Sequence, residues 1–204
     1  MRSLRPEMIK FFDDKLKNNG LAQHAIDTKD ARLLFTEAAK VCVGIREKTG
    51  NNDGPMVELI QKTVDGVASR ESWCMAFVQT CLAYAELKTG LTSPIFCSEH
   101  CMTTFRKTSK NQRVKYNPLP GAIVIWQHYD LDEKTGTITP TDQGHTGIVL
   151  GADELIFTAV EGNTTSGSNG ANGPVVREGG GVYYTTRNRI KNGTMIVEGF
   201  LKPF

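Results

Sequence analysis

No run of about 18 apolar residues occurs in the chain, so the sequence predicts no membrane-spanning helix. Charge of one sign is lacking too: 24 Lys and Arg stand against 22 Asp and Glu, a formal charge of +2. A dedicated nucleic-acid binder needs a far larger basic excess, so nucleic acid is not an expected partner. The apolar stretch of a secretion signal is missing, because Glu7, Asp13 and Asp14 interrupt the N-terminal segment. An amphipathic helix is expected there instead. The sequence therefore reads as a protein made in the cytoplasm, which reaches an outside target only by release or injection. Histidine is scarce, with four residues, and the five cysteines (Cys42, Cys74, Cys81, Cys97 and Cys101) are odd in number and irregularly spaced. That argues against a disulfide framework. "CSEHC" at 97–101 offers Cys97, His100 and Cys101, but no fourth ligand and no C-x2-C pair, so no metal site is expected.

What is present is ordinary globular composition, 39% hydrophobic and 23% charged, which suits a single domain with a helical N-terminal elaboration. The first half reads as helices: an amphipathic one at 5–18, a stronger one from Thr28 to Thr49, and a third opening at Pro55. A fourth runs from Cys74 to Lys88, with Ser72 as the expected N-cap and Gly90 as the stop. After Pro120 the pattern becomes β-branched. "AIVIWQH", "HTGIVLG", "ELIFTAVEGN", "VYYTTRNR" and "TMIVEGFLKP" predict about five antiparallel strands and hence an α+β fold. The Gly/Ser/Asn-rich stretch "GNTTSGSNGANGP" reads as a mobile loop, without the Gly-Lys-Ser/Thr ending of a phosphate-binding loop.

Cys74, Phe77, Val78, Cys81, Leu82 and Ala85 recur at the spacing of one helix face. Cys81 falls in mid-stripe and reads as core. Cys74 falls in the first turn, where unpaired N–H groups and the helix dipole favour a thiolate. Thiol hydrolysis also needs a histidine and a polar group to orient it. His24 reads as lying in an interhelical loop, His100 sits among the cysteines, and His128 precedes a polar hairpin. His145 opens a strand between small neighbours that would leave its ring accessible. Glu161 and Asn163, two apart on a strand, point to one face and can reach a neighbouring His145 strand. Trp73 and Trp126 suit either a cleft wall or the core.

"WCMAFV", "LPGAIVIW", "GHTGIVLG" and "VEGN" stand in the order and spacing of the CHAP family, the cysteine, histidine-dependent amidohydrolases/peptidases, which this chain resembles over about 41–204. "GIREKTGNNDGPMVELIQ" is similar to the helical lead-in of its bacterial and phage members. Residues 1–40 lie outside the resemblance, as an N-terminal helical extension. Ala122, Met75 and Ser72 depart from the family's usual residues without removing a catalytic group. An acidic calcium-binding loop is not recognisable, so no cofactor is carried over.

The resemblance implies a papain-like core and a catalytic set: Cys74 as nucleophile, His145 as base and acid, Glu161 as orienting residue and Asn163 as a further polar group. It implies a peptidoglycan hydrolase that cuts an amide bond of the bacterial wall, with endopeptidase placed ahead of N-acetylmuramoyl-L-alanine amidase. A phage endolysin and an injected toxin, the latter with an immunity protein or secretion machinery as partners, both remain open. So do a non-catalytic wall-binding module of the same fold and a protease acting on protein or isopeptide bonds.

Overall fold

The computed structural model describes residues 2–166, 173–176 and 178–204. Six helices come first: α1 (Pro6–Leu16), α2 (Gly20–Thr28), α3 (Ala31–Val41), α4 (Pro55–Asp65), α5 (Cys74–Thr89) and α6 (Cys101–Lys107). The strands follow: β1 (Arg113–Val114), β2 (Ile123–Leu131), β3 (Ile138–Ala152), β4 (Ile156–Thr164), β5 (Gly181–Asn188), β6 (Lys191–Asn192) and β7 (Met195–Leu201). The fold is α+β, as the order of patterns predicts. All strands pair antiparallel in the order β1-β7-β2-β3-β4-β5, with β6 also on β7. The sheet thus has seven strands among the described residues, against about five expected. The two extra strands, β1 and β6, hold two residues each and are too short to leave a periodic signal. Part of the loop expected at 162–174 falls on 167–172, outside the described residues, while Gly162 to Thr164 belong to β4.

The helix expected from Thr28 to Thr49 is α3 alone, which starts at Ala31 and ends at Val41, followed by a non-helical tail; α2 ends where the expected helix was to begin. Lys29 takes a left-handed conformation that ends α2, and Asp30 starts α3 by accepting the Leu33 N–H at 2.9 Å. His24 therefore lies within α2 and not in a loop. Beyond Val41 the backbone finds better partners in the sheet. Gly44 and Glu47 donate to Val182 and Gly180, and Val182 donates to Ile45. Tertiary hydrogen bonds thus override a helical pattern of side chains. α6 has only seven residues and escaped the sequence reading altogether.

Every residue of α5 from Cys74 to Ala85 is buried, so the helix is enclosed on all sides and not on one face as its stripe suggests, with the polar Gln79 and Thr80 hydrogen-bonded inside. α1 closes its far side: the Phe12 and Tyr84 rings stack at 4.5 Å, and Tyr84 donates to Asp13. Met8, Phe12, Ala22 and Leu34 share one core with Cys81, Ile123, Ile148 and Val160, which joins residues before 40 to the sheet. The other sheet face carries a smaller core around Trp126, Phe157 and Phe200. Both tryptophans are fully buried, so neither lines a cleft. None of the described helices is long and apolar enough to cross a membrane.

Candidate active site

The residues before α5 are held by three separate elements. Trp73 donates its indole N–H to Glu47 at 2.8 Å, and Gln61 donates to the Glu71 carbonyl at 2.8 Å. Ser72 is not the N-cap; its hydroxyl donates to Glu178, and the cap position passes to Trp73. Cys74 is consequently the first helical residue, where the amide N–H groups have no acceptor within the helix. One of them, the Met75 N–H, turns to the Cys74 sulfur.

His145 comes from β3, directly opposite Trp126 of β2, whose ring lies 5.6 Å away. Its small neighbours do not open the ring to solvent as expected; His145 is fully buried. They serve close approach instead. A Cβ on Gly147 would stand 2.8 Å from Glu161 Cγ, and one on Gly144 would stand 2.6 Å from the Trp126 carbonyl oxygen and 3.2 Å from Cys101 Cβ. Glycine on each side of the histidine thus lets a carboxylate and a second thiol come near. Gly162 plays the same part for β4, where a Cβ would meet Phe77 of α5 at 2.8 Å.

The Glu161 carboxylate lies 3.1 Å from His145 Nε2 and binds Arg187 of β5 with both oxygens, at 2.7 and 2.8 Å. The Thr185 hydroxyl also donates to it, at 2.5 Å. All three residues facing Glu161 are buried. With Nε2 on the carboxylate, Nδ1 is the nitrogen left for the thiol, and it makes no hydrogen bond among the described residues.

Burial alone would raise the Glu161 carboxyl, but Arg187 and then His145 hold it down at about 2. Burial likewise opposes charge on His145, yet contact with Cys74 and then Glu161 lifts it to about 9. Cys74 is driven well below the usual thiol value of 9.0, first by a hydrogen bond from Cys101 and then, against burial, by His145 and the Met75 N–H. Cys81 moves the other way: burial and Cys42 push it well above that value, which fits a core thiol. The arrangement can therefore hold a thiolate beside an imidazolium at neutral pH.

Asn163 lies two residues beyond Glu161, but its backbone is left-handed (φ 55°) and the β4–β5 register shifts there. It is buried, and its amide makes no hydrogen bond to His145 or to any other group among the described residues. Alternation and the resemblance put it with Glu161; the bulge removes the alternation. Cys97, His100 and Cys101 do not gather into a metal-binding group, and among the described residues no three His, Cys, Asp or Glu do so. Cys101 instead places its sulfur 3.6 Å from that of Cys74.

A cavity of about 300 Å³ opens over Cys74, lined by Glu71, Glu99, Cys101, Asp142 and Gly144. A larger hollow of about 600 Å³, near Arg2 and Leu91, has no histidine among its described lining residues and cannot supply the same chemistry. The sequence reading missed Arg187, Thr185 and Cys101. Thr185 and Arg187 alternate on β5, and that spacing was a usable signal, although only pairing with β4 reveals which face they share. Comparison with protein-family models, with characterised proteins and with solved structures gives no match for this chain.

Proposed function

We propose that the protein is a thiol hydrolase of peptidoglycan, built on a papain-like core of the CHAP type, that cuts an amide bond in the peptide part of the bacterial wall. The observation that carries this reading is the buried line Cys74–His145–Glu161, with the thiol shifted down and the imidazole up. A wall-binding module has no use for a thiol polarised in this way.

In the reaction the Cys74 thiolate attacks the scissile carbonyl, and the oxyanion forms beside the α5 N-terminus, where the Cys74 N–H can donate to it. His145 passes its Nδ1 proton to the leaving amine, giving an acyl-enzyme. The neutral imidazole then takes a proton from water, which attacks the thioester and releases the acid. Glu161 stays ionised throughout, steadying the imidazolium through Nε2. Glu71 and Glu99 give the cavity an acidic side, which suits an amine-bearing peptide better than a sugar; Asp142, on the same lining, is paired with Arg106 at 2.7 Å. This favours the endopeptidase over the amidase. Burial, with Glu71 and Asp65 nearby, raises Glu99 to about 7, so the wall gains charge as the solution passes neutrality.

Digestion of purified peptidoglycan followed by mass spectrometry of the fragments tests the proposal. New amino and carboxyl termini within the peptide are expected, and none with Cys74→Ala. Fragments split between sugar and peptide would make it an amidase. Cleavage of a generic protein with peptidoglycan left intact would make it a protease of another kind.

A further inference from the structure

We propose that Cys74 and Cys101 form a reversible disulfide that shuts the site when a hydroperoxide is present and is reopened by thiols. As a form of regulation, it rests on Cys74 being the nucleophile.

The two sulfurs are 3.6 Å apart, and each belongs to the first residue of its helix, α5 or α6. A disulfide needs about 2.0 Å, so small side-chain rotations suffice to close the gap. Gly144 leaves the space beside Cys101 that any larger residue would fill. Both thiols line the same cavity, so a small oxidant that reaches one reaches the other. Cys42 and Cys81 also neighbour one another, but both are fully buried and neither lines that cavity. Position therefore directs oxidation to the first pair.

The chemistry needs only the hydroperoxide. The Cys74 thiolate attacks the terminal peroxide oxygen, the O–O bond breaks, and the departing alkoxide or hydroxide takes a proton from the His145 imidazolium. The sulfenic acid so formed is attacked by Cys101 sulfur. The S–O bond breaks, and hydroxide leaves with the Cys101 proton as water. One peroxide is reduced and two thiols are oxidised. Two equivalents of a small thiol reverse the change by exchange through a mixed disulfide. Without a second sulfur in reach, the sulfenic acid would instead reduce a second hydroperoxide, taking up its oxygen to become the irreversible sulfinic acid and releasing the alcohol or water.

The test treats the full-length protein with hydrogen peroxide and maps its peptides without reduction, in parallel with lysis assays. The expected result is one cross-linked peptide pair, Cys74 with Cys101, with the loss of two hydrogens. Lysis should fall at least about 10-fold and recover with dithiothreitol. Cys101→Ser, compared with its own untreated activity, should be inactivated without recovery and gain oxygen at Cys74. Cys101→Ala gives the same reading if serine disturbs the fold. Oxygen gain at Cys74 in the natural protein without the cross-link would overturn the switch, as would full thiol rescue of the Cys101 variants. A lytic enzyme that never cross-links loses the switch but keeps the hydrolase reading. A cross-link in a protein whose reduced form digests no wall removes the activity to be controlled. Peptide mapping separates these outcomes because it does not depend on lysis.

Discussion

Glu161 and Arg187 form a two-pronged ion pair with no solvent access, and the same carboxylate reaches His145. Thiolate, imidazolium, carboxylate and guanidinium together make a buried group of four charges that sum to zero. Removing any one member leaves a net charge inside the protein.

Glu161→Gln keeps the shape and removes the charge that steadies the imidazolium. The folded variant is expected to lose on the order of 100-fold or more in kcat/KM, since loss of the orienting carboxylate costs about 10^4-fold in kcat in a serine protease. Steady-state kinetics on soluble wall fragments checks this, with circular dichroism to confirm folding.

Arg187→Met strands the Glu161 carboxylate and should destabilise the protein by about 3–5 kcal/mol in chemical denaturation. Combining it with Glu161→Gln should restore much of the stability and none of the rate. Recovery of both would mean that the ion pair plays no part in positioning His145.

Asn163 should matter less. Its left-handed backbone suits glycine, so Asn163→Gly is expected to change stability by well under about 1 kcal/mol. It should also reduce the rate less than Glu161→Gln does. A greater loss of rate in a folded Asn163→Gly protein would reverse the order of these two residues.

The pH profile follows from the shifts. Proton donation to the leaving amine needs His145 charged, so kcat/KM should fall as pH rises through about 9. The acid limb is set by the Cys74 thiolate and lies well below 9.0, its ordinary value. Stability behaves differently. Alkaline loss from the raised His145 is offset by the lowered Cys74, since between 6.5 and 9 one holds a proton that the unfolded chain lacks and the other lacks one that it holds. The Glu161 contribution is fully present above 4.5 and is lost as pH falls through about 2. Denaturation midpoints should therefore drop on acidification, and drop less in Glu161→Gln.

Much of this was legible in the chain. The order of helices and strands and the position of Cys74 at a helix start follow from local pattern, while local pattern left Glu161 and Asn163 as alternatives and the resemblance named Glu161 as the partner of His145. What escaped depends on distant pairing. The tail after Val41 leaves the helix because β5 offers it hydrogen bonds. Arg187 carries no signal of its own in the chain, because its partner Glu161 is set by the pairing of β4 with β5. Cys101 looked like half of a weak metal motif, because nothing in "CSEHC" points across to α5. Asn163 was paired with Glu161 by alternation, and a register shift cancelled it.

Among the cysteines, iodoacetamide at neutral pH should label Cys74 first and leave Cys42 and Cys81 untouched until the protein unfolds. Substituting Cys42, Cys81 or Cys97 by Ala should preserve lysis in protein that folds. Loss of lysis in a folded Cys81→Ala variant would put the nucleophile elsewhere.

Gly147→Ala offers a steric test. The new methyl would press on Glu161 Cγ, so a cost of about 1–3 kcal/mol is expected, with a fall in kcat larger than the change in KM. Gly162→Ala would push β4 off Phe77 and should cost a similar amount.

The burial of α5 on every side also bears on the order in which the chain matures. As the polypeptide leaves the ribosome, the thiol emerges well before the imidazole on β3, and the guanidinium that balances the site comes later still, on β5. A nascent fragment that ends before β3 holds Cys74 without His145, and one that ends before β5 leaves Glu161 without Arg187. The charged site is therefore completed only when the last strands dock, and the activity proposed above requires that step.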